Sequence, residues 1–323
     1  MKQENPKLGP VLAAALLAAG HADSQTVRQI ILDDQTFHHV IPAPSTGQVS
    51  VSMAVGELVV RGWDRDEVEV SGELGEDAIR VELSQEEGHT LINVVPVPEG
   101  SEPVFPDETD IFVSMPRQSS LTFSTTDAEA QIAGVHGSQA LNTISGDVET
   151  EIWSGTVTAE SASGDLSVSN RSRFAKAGDA SMPDPGEPVM AVLTTLSGEI
   201  EARGPLTRLT ASTVSGDIEL DVDSVSMLSL DTSNGNIEVH ATLNEGAEIY
   251  AETVNGDVEL EIGEEGNLTL DLGTYSGRIE NCFGYEDQPS SSGSGLELSI
   301  EGPDGSPRVR VRTLNGDIEL CSS

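Results

Sequence analysis

One short unit recurs eight times in this chain and fixes most of what it can fold into. Aligned on a glycine, the copies centre on Gly146, Gly164, Gly198, Gly216, Gly235, Gly256, Gly277 and Gly316. Three residues earlier stands Thr143, Ser161, Thr195, Thr213, Thr232, Thr253, Thr274 or Thr313. Two residues later stands an aliphatic: Val148, Leu166, Ile200, Ile218, Ile237, Val258, Ile279 or Ile318. Three later stands Glu149, Glu201, Glu219, Glu238, Glu259, Glu280 or Glu319, with Ser167 the exception. This T-x-S/N-G-D-I-E-L unit, at regular intervals of 18 to 21 residues, reads as a stacked solenoid.

Side-chain parity identifies the unit. Before the glycine, apolar residues fall at odd offsets, as in Leu228 and Leu230 ahead of Gly235. After it they fall at even offsets, as in Ile218 and Leu220 behind Gly216. One continuous strand would put half of them in water, so the Ser/Asn-Gly pair is a corner. The expectation at this corner is a glycine using positive φ where the chain turns. A single coil of some twenty residues buries too few aliphatics to offset its ordering entropy, so stability must come from stacking.

Two intervals are long. Arg171 to Glu187, rich in Pro, Gly and Ala, reads as a loop insertion over 171–188. The interval from Gly277 to Gly316 holds a Ser-rich tip, then Leu296 to Ile300, the turn Pro303-Asp304-Gly305 and Arg308 to Thr313. That pattern predicts a hairpin extension over 283–308. Ahead of the clear repeats (125–321), a β pattern starts at Gln48 and runs through Val49, Val51, Leu58, Val60, Val68 and Val70. Residues 23–47 read as a polar N-terminal segment and 48–321 as the β-solenoid domain.

The opening residues predict export. Lys2 and Lys7 flank an n-region, Leu8 to Ala19 is apolar, and Gly20-His21-Ala22 supplies small residues for cleavage after Ala22. The other reading of that run is a buried helix, which Gly9, Pro10 and Gly20 fit poorly. No later run is long enough to span a bilayer, so the mature chain is expected in the periplasm or at the cell surface. Sixteen Lys plus Arg against 55 Asp plus Glu give a net charge of −39. That charge excludes nucleic acid and anionic lipid as natural partners. Aromatics are only 3% of the chain, so the core must be built of aliphatic ladders.

Cys282 and Cys321 both lie five residues after their corner glycine. If their coils are neighbours, the Cα atoms sit near 5 Å and an exported chain would bond them. If a whole coil intervenes, they remain free thiols. The Glu column raises a different question. Carboxylates about 4.8 Å apart on parallel strands repel by about 1 kcal/mol per pair in water. The corner residues Asp147, Asp165, Asp217, Asp257 and Asp317 add to the charge. Such a column is expected to have raised pKa values and to gather divalent cations weakly; alternatively it only blocks edge aggregation and aids solubility.

Gly56-Glu57-Leu58-Val59-Val60-Arg61-Gly62-Trp63-Asp64 resembles the start of the bacterial putative-adhesin family of exported domains, which are related to β-helical adhesin heads. Thr313-Leu314-Asn315-Gly316-Asp317-Ile318 is similar to that family's end. The resemblance covers roughly residues 48–321. It implies an all-β, right-handed β-helical or β-roll fold outside the cytoplasm and carries no catalytic residues.

No phosphate-binding loop, dinucleotide fingerprint, nucleophile elbow or H-E-x-x-H is found. No catalytic, cofactor-binding or metal-ligating residue is therefore assigned, and no cofactor is expected. The reading is a non-catalytic envelope or surface protein that binds a glycan or an envelope protein through stacked β faces. The alternative is a polysaccharide-active β-helix enzyme using outer-face carboxylates, and an Arg or Lys set against clustered acids would favour it.

Overall fold

The computed structural model describes residues 28–98, 100–101, 108–170, 188–263, 268–290 and 293–322. Among them every regular element is a β-strand. The expected signal peptide and most of the expected loop insertion at 171–188 lie outside the described residues.

The first ten strands are β1 (Arg28–Leu32), β2 (Thr36–Pro42), β3 (Gln48–Ser52), β4 (Val55–Trp63), β5 (Glu67–Glu73), β6 (Ala78–Glu86), β7 (His89–Pro96), β8 (Asp110–Pro116), β9 (Ser120–Ser124) and β10 (Asp127–Ala133). Then come β11 (Gln139–Asn142), β12 (Val148–Glu151), β13 (Thr156–Glu160), β14 (Leu166–Ser169), β15 (Met190–Thr194), β16 (Ile200–Pro205) and β17 (Arg208–Ser212). Two long bent strands follow, β18 (Ile218–Asn234) and β19 (Ile237–Asn255). The chain ends with β20 (Val258–Ile262), β21 (Thr269–Ser276), β22 (Ile279–Asn281), β23 (Gln288–Pro289), β24 (Leu296–Ile300), β25 (Arg308–Asn315) and β26 (Ile318–Cys321).

Each coil is one strand before the corner and one after it, so two parallel ladders run the length of the stack. The entering ladder runs β7, β3, β9, β11, β13, β15, β17, the ends of β18 and β19, β25, β21. The leaving ladder runs β8, β4, β10, β12, β14, β16, the starts of β18 and β19, β20, β26, β22. Among the described residues three coils precede the eight repeat coils, making eleven.

The stack does not follow chain order at its ends. The β3/β4 coil sits between the later β7/β8 coil and β9/β10. The final β25/β26 coil is inserted between the coils of Gly256 and Gly277. Antiparallel strands then cover the outermost coils: β6 on β7 with β1 beyond, and β5 on β8 with β2 beyond. Thus the polar 23–47 segment contributes two capping strands. At the far end β24 pairs antiparallel with β21, and β23 with β24. These strands protect ladder edges that would otherwise recruit other chains.

The hairpin expected between Leu296–Ile300 and Arg308–Thr313 is not formed. Both strands flank β21, one antiparallel and one parallel, and the Pro303-Asp304-Gly305 turn carries the chain from one side of it to the other. The small hairpin of the extension is β23–β24.

Burial follows the parity of the repeat. Before each corner the odd offsets point inward, after it the even ones. Leu209, Leu228, Ile249, Val309 and Leu270 form one register-aligned buried ladder, and Ile200, Ile218, Ile237, Val258, Ile318 and Ile279 another. Each such side chain contributes about 2 kcal/mol of burial.

The corner glycines owe their place to a further cause beside the one expected. Gly146, Gly164 and Gly216 do have positive φ, at 116°, 151° and 159°, but Gly235 and Gly256 do not use the left-handed region. A Cβ on Gly235 would overlap the carbonyl oxygen of Gly216, and one on Gly256 that of Gly235. Close stacking of corner on corner, more than backbone handedness, excludes a side chain there.

Candidate functional site

The corner ridge and the leaving face beside it carry the polar chemistry of the molecule. The buried threonines come first. Thr213, Thr232, Thr253 and Thr313 donate their hydroxyls to the carbonyl oxygens of Gly198, Gly216, Gly235 and Gly256, at 3.3, 3.1, 3.0 and 3.0 Å. Thr274 donates to Gly316, the corner of the adjacent inserted coil, at 2.9 Å. Each hydroxyl therefore ties one coil to the corner of its neighbour, a role the sequence columns alone did not reveal.

The residue after each glycine forms a second interlock. The Asp147 carboxylate accepts the backbone N–H of Asp165 at 2.8 Å, and Asp165 accepts that of Glu199 at 2.8 Å. Asp217, Asn236 and Asp257 accept the N–H of Asn236, Asp257 and Asp317 in turn, and Asp317 that of Arg278. These aspartates were expected to add only repulsion. Instead they satisfy corner N–H groups, which offsets their charge. Asp317 lies below its ordinary range because it accepts the Arg278 backbone N–H and also meets the guanidinium. Glu199 is raised, first by partial burial and then by Glu219, Asp165, Glu201 and Asp217 around it. Asn234, Asn255 and Asn315 stack as an amide ladder, with Asn255 and Asn315 each donating at 2.9 Å to the one before.

The Glu column lies on the outward face of the leaving ladder. Register places Glu201, Glu219, Glu238, Glu259, Glu319 and Glu280 on successive strands, with Ser167 between Glu149 and Glu201. Beside it run Arg203, Asp221, His240 and Glu261. Arg203 pairs with Glu201, and His240 bridges Glu238 at 3.1 Å and Glu261 at 2.9 Å. Glu238 holds the imidazole pKa above its ordinary value, with Glu261 adding to it and burial opposing. Glu201, Arg203, Glu219, Asp221, Glu238 and His240 line a shallow depression. Among the described residues no group of three or more His, Cys, Asp or Glu is placed to hold a metal ion.

The far end is fastened covalently. Cys282 and Cys321 are bonded, with Cα atoms 4.8 Å apart, because the β26 coil lies directly against the β22 coil. Arg308 faces Glu248 at 3.5 Å, while Arg310 and Arg312 both reach Asp271, at 2.9 and 2.6 Å. Burial tends to raise the Asp271 pKa, but the two guanidinium groups carry it below its ordinary value.

One column escaped the sequence reading. Between the buried Thr and the Ser/Asn-Gly corner stands a single residue per coil, in spatial order Ile144, Ala162, Leu196, Val214, Ser233, Val254, Leu314 and Tyr275. Its signal was available: seven of eight positions are apolar at an offset that points away from the core.

This interlocked corner repeats through the C-terminal coils, where the similarity to a family model falls. Residues 190–321 match the Toastrack DUF4097 family model. The matched residues span the coils from β15 to β26, including the inserted final coil and the disulfide. No curated protein matches the chain. Among solved structures, the chain is similar to a putative adhesin from Bacteroides fragilis, at 10% identity and a TM-score of 0.44, covering 89% of this chain and 97% of that one. It is also similar to a putative adhesin from Parabacteroides distasonis, at 12% identity and a TM-score of 0.38, covering 89% and 98%. A putative lipid binding protein from the same organism matches at 11% identity and a TM-score of 0.38, covering 90% and 98%.

Proposed function

We propose that this is an exported, non-catalytic contact protein that binds an envelope protein or glycan through the outward faces of its stacked coils. The observation that supports the reading is continuity. The same exposed side chains recur in register from coil to coil, giving a long surface suited to an elongated partner rather than a pocket suited to a small one. Among the described residues no helix is long and apolar enough to cross a membrane. The test is capture: the chain from residue 23 onward, immobilised, should retain a glycan or an envelope protein saturably. A surface that retains neither would overturn the reading.

The depression around Arg203 supports a second reading. An Arg set among Glu201, Glu219 and Asp221 is the arrangement that acidic-polysaccharide cleavage requires. Against it, Arg203 is already paired with Glu201, and a net charge of −39 repels polyanions. Release of reducing or unsaturated ends from a uronate polymer, abolished by Arg203→Gln, would establish it.

A further inference from the structure

The exposed apolar column along the corners lies outside the buried core. Ile144 and Leu196 are each 58% exposed, Tyr275 57% and Val254 40%, and Val214 and Leu314 are also exposed. Scattered surface aliphatics need no explanation, but a register-aligned row of them does. Neighbouring coils are about 4.8 Å apart, so the row from Ile144 to Tyr275 is roughly 34 Å long. Acids flank it on both sides: Asp147, Asp165, Glu199, Asp217 and Asp257 past the corner, and Glu160, Asp231 and Glu252 before it. The two nearby cations at its end, Arg278 and Arg312, are engaged with Asp317 and Asp271.

We infer that this ridge is a docking strip for a cationic amphipathic helix of a partner protein. The inference rests on the contact-protein reading and names the surface and the chemistry of its partner. An apolar row with a row of acids past the corner and Glu160, Asp231 and Glu252 before it selects apolar groups flanked by Lys or Arg. A second copy of the same ridge would set acid against acid, and an anionic bilayer would do likewise. A sugar ring prefers an aromatic platform, whereas this row holds one aromatic among aliphatics. Spacing selects the helix. Apolar side chains on one helix face recur every turn, about 5.4 Å, close to the 4.8 Å coil spacing; an extended strand repeats them at roughly 6.6 Å. Covering the ridge takes about 20 helical residues.

The probe is a synthetic Leu/Lys peptide of about that length, patterned as an amphipathic helix, with a scrambled peptide of the same composition as control. At physiological ionic strength the patterned peptide should bind the chain about tenfold or more tightly than the scrambled one. The variant Leu196→Ser/Val214→Ser/Leu314→Ser should lose about tenfold or more, while Glu82→Gln/Glu86→Gln, on the capping strand β6 away from the ridge, should lose much less. Equal binding of both peptides, no binding of either, or an unaffected ridge variant would overturn the inference. If the triple variant misfolds, hydrogen exchange on the wild type decides. Protection on peptide binding should appear around residues 194–197, 212–215 and 312–315, and protection confined elsewhere would sink it. An envelope partner retained equally by wild type and ridge variant would reject the ridge and leave the contact reading standing. A wild type that captures nothing would reject the contact reading itself.

Discussion

At the scale of single residues, the corner shows why the Thr and Gly columns tolerate so little change. Thr232 is buried and its hydroxyl donates to Gly216, so Thr232→Val keeps the shape and removes the bond. It should cost about 0.5–1.5 kcal/mol. Gly235→Ala drives a methyl into the Gly216 carbonyl and should cost more, about 1–3 kcal/mol. Chemical denaturation of the two variants tests the order; an alanine milder than the valine would refute the stacking account. His240 gives a pH signature. Its pKa is raised in the folded state by Glu238 and Glu261, so its contribution is fully present below the ordinary value of 6.5. That contribution is lost as pH rises through the folded pKa. The stability difference between wild type and His240→Gln should therefore be largest in mild acid and shrink above neutrality. A difference that grows with pH would contradict the bridge.

Among elements, the terminal coil is the one most dependent on its fastening. Among the described residues the β21/β22 coil pairs with the other coils of the stack through β25 and β26, and β22 has no partner beyond β26. The Cys282–Cys321 bond crosses that single junction and closes a 39-residue separation. Replacing both cysteines by Ser should cost roughly 3–4 kcal/mol. The loss should be local. Amide exchange should quicken in Thr269–Ser276 and Ile279–Asn281 well before the β11 to β17 coils, as expected of an end that opens by itself. Uniform acceleration along the whole stack would mean that the solenoid unfolds as one unit.

For the whole molecule the governing quantity is charge. A net charge of −39 on a stack that sets glutamates on adjacent strands makes self-repulsion a standing cost. Screening falls to about 8 Å at physiological salt, so several hundred millimolar NaCl or millimolar Mg²⁺ should raise the unfolding temperature. Moving from neutral pH toward pH 5 should also stabilise. Glu199 and His240 both have raised folded pKa values, so the folded state takes up their protons more readily as pH falls. Asp271 and Asp317 act in the opposite sense. Their stabilisation is present above the ordinary value of 3.8 and disappears only as pH drops through their lowered folded values. Stability should therefore pass through a maximum in mild acid. A melting temperature indifferent to salt would mean that the acids are compensated locally, corner by corner.

The repeat columns determined the coil, its corner, and which side chains face in, because those follow from the local period of a strand and need no knowledge of neighbours. Odd offsets before Gly235 and even offsets after Gly216 are buried as the parity requires. The columns also determined that Glu219, Glu238 and Glu259 would share a face. What they left undecided is which coil lies against which. Units with the same Thr, Gly and Ile columns present interchangeable edges, so nothing local places Gly316 between Gly256 and Gly277, or β3 between β7 and β9. Tertiary structure settles that by closing both ends with antiparallel strands. In doing so it brings Cys321 beside Cys282 and turns the corner aspartates from a row of repelling charges into acceptors for the next coil's N–H.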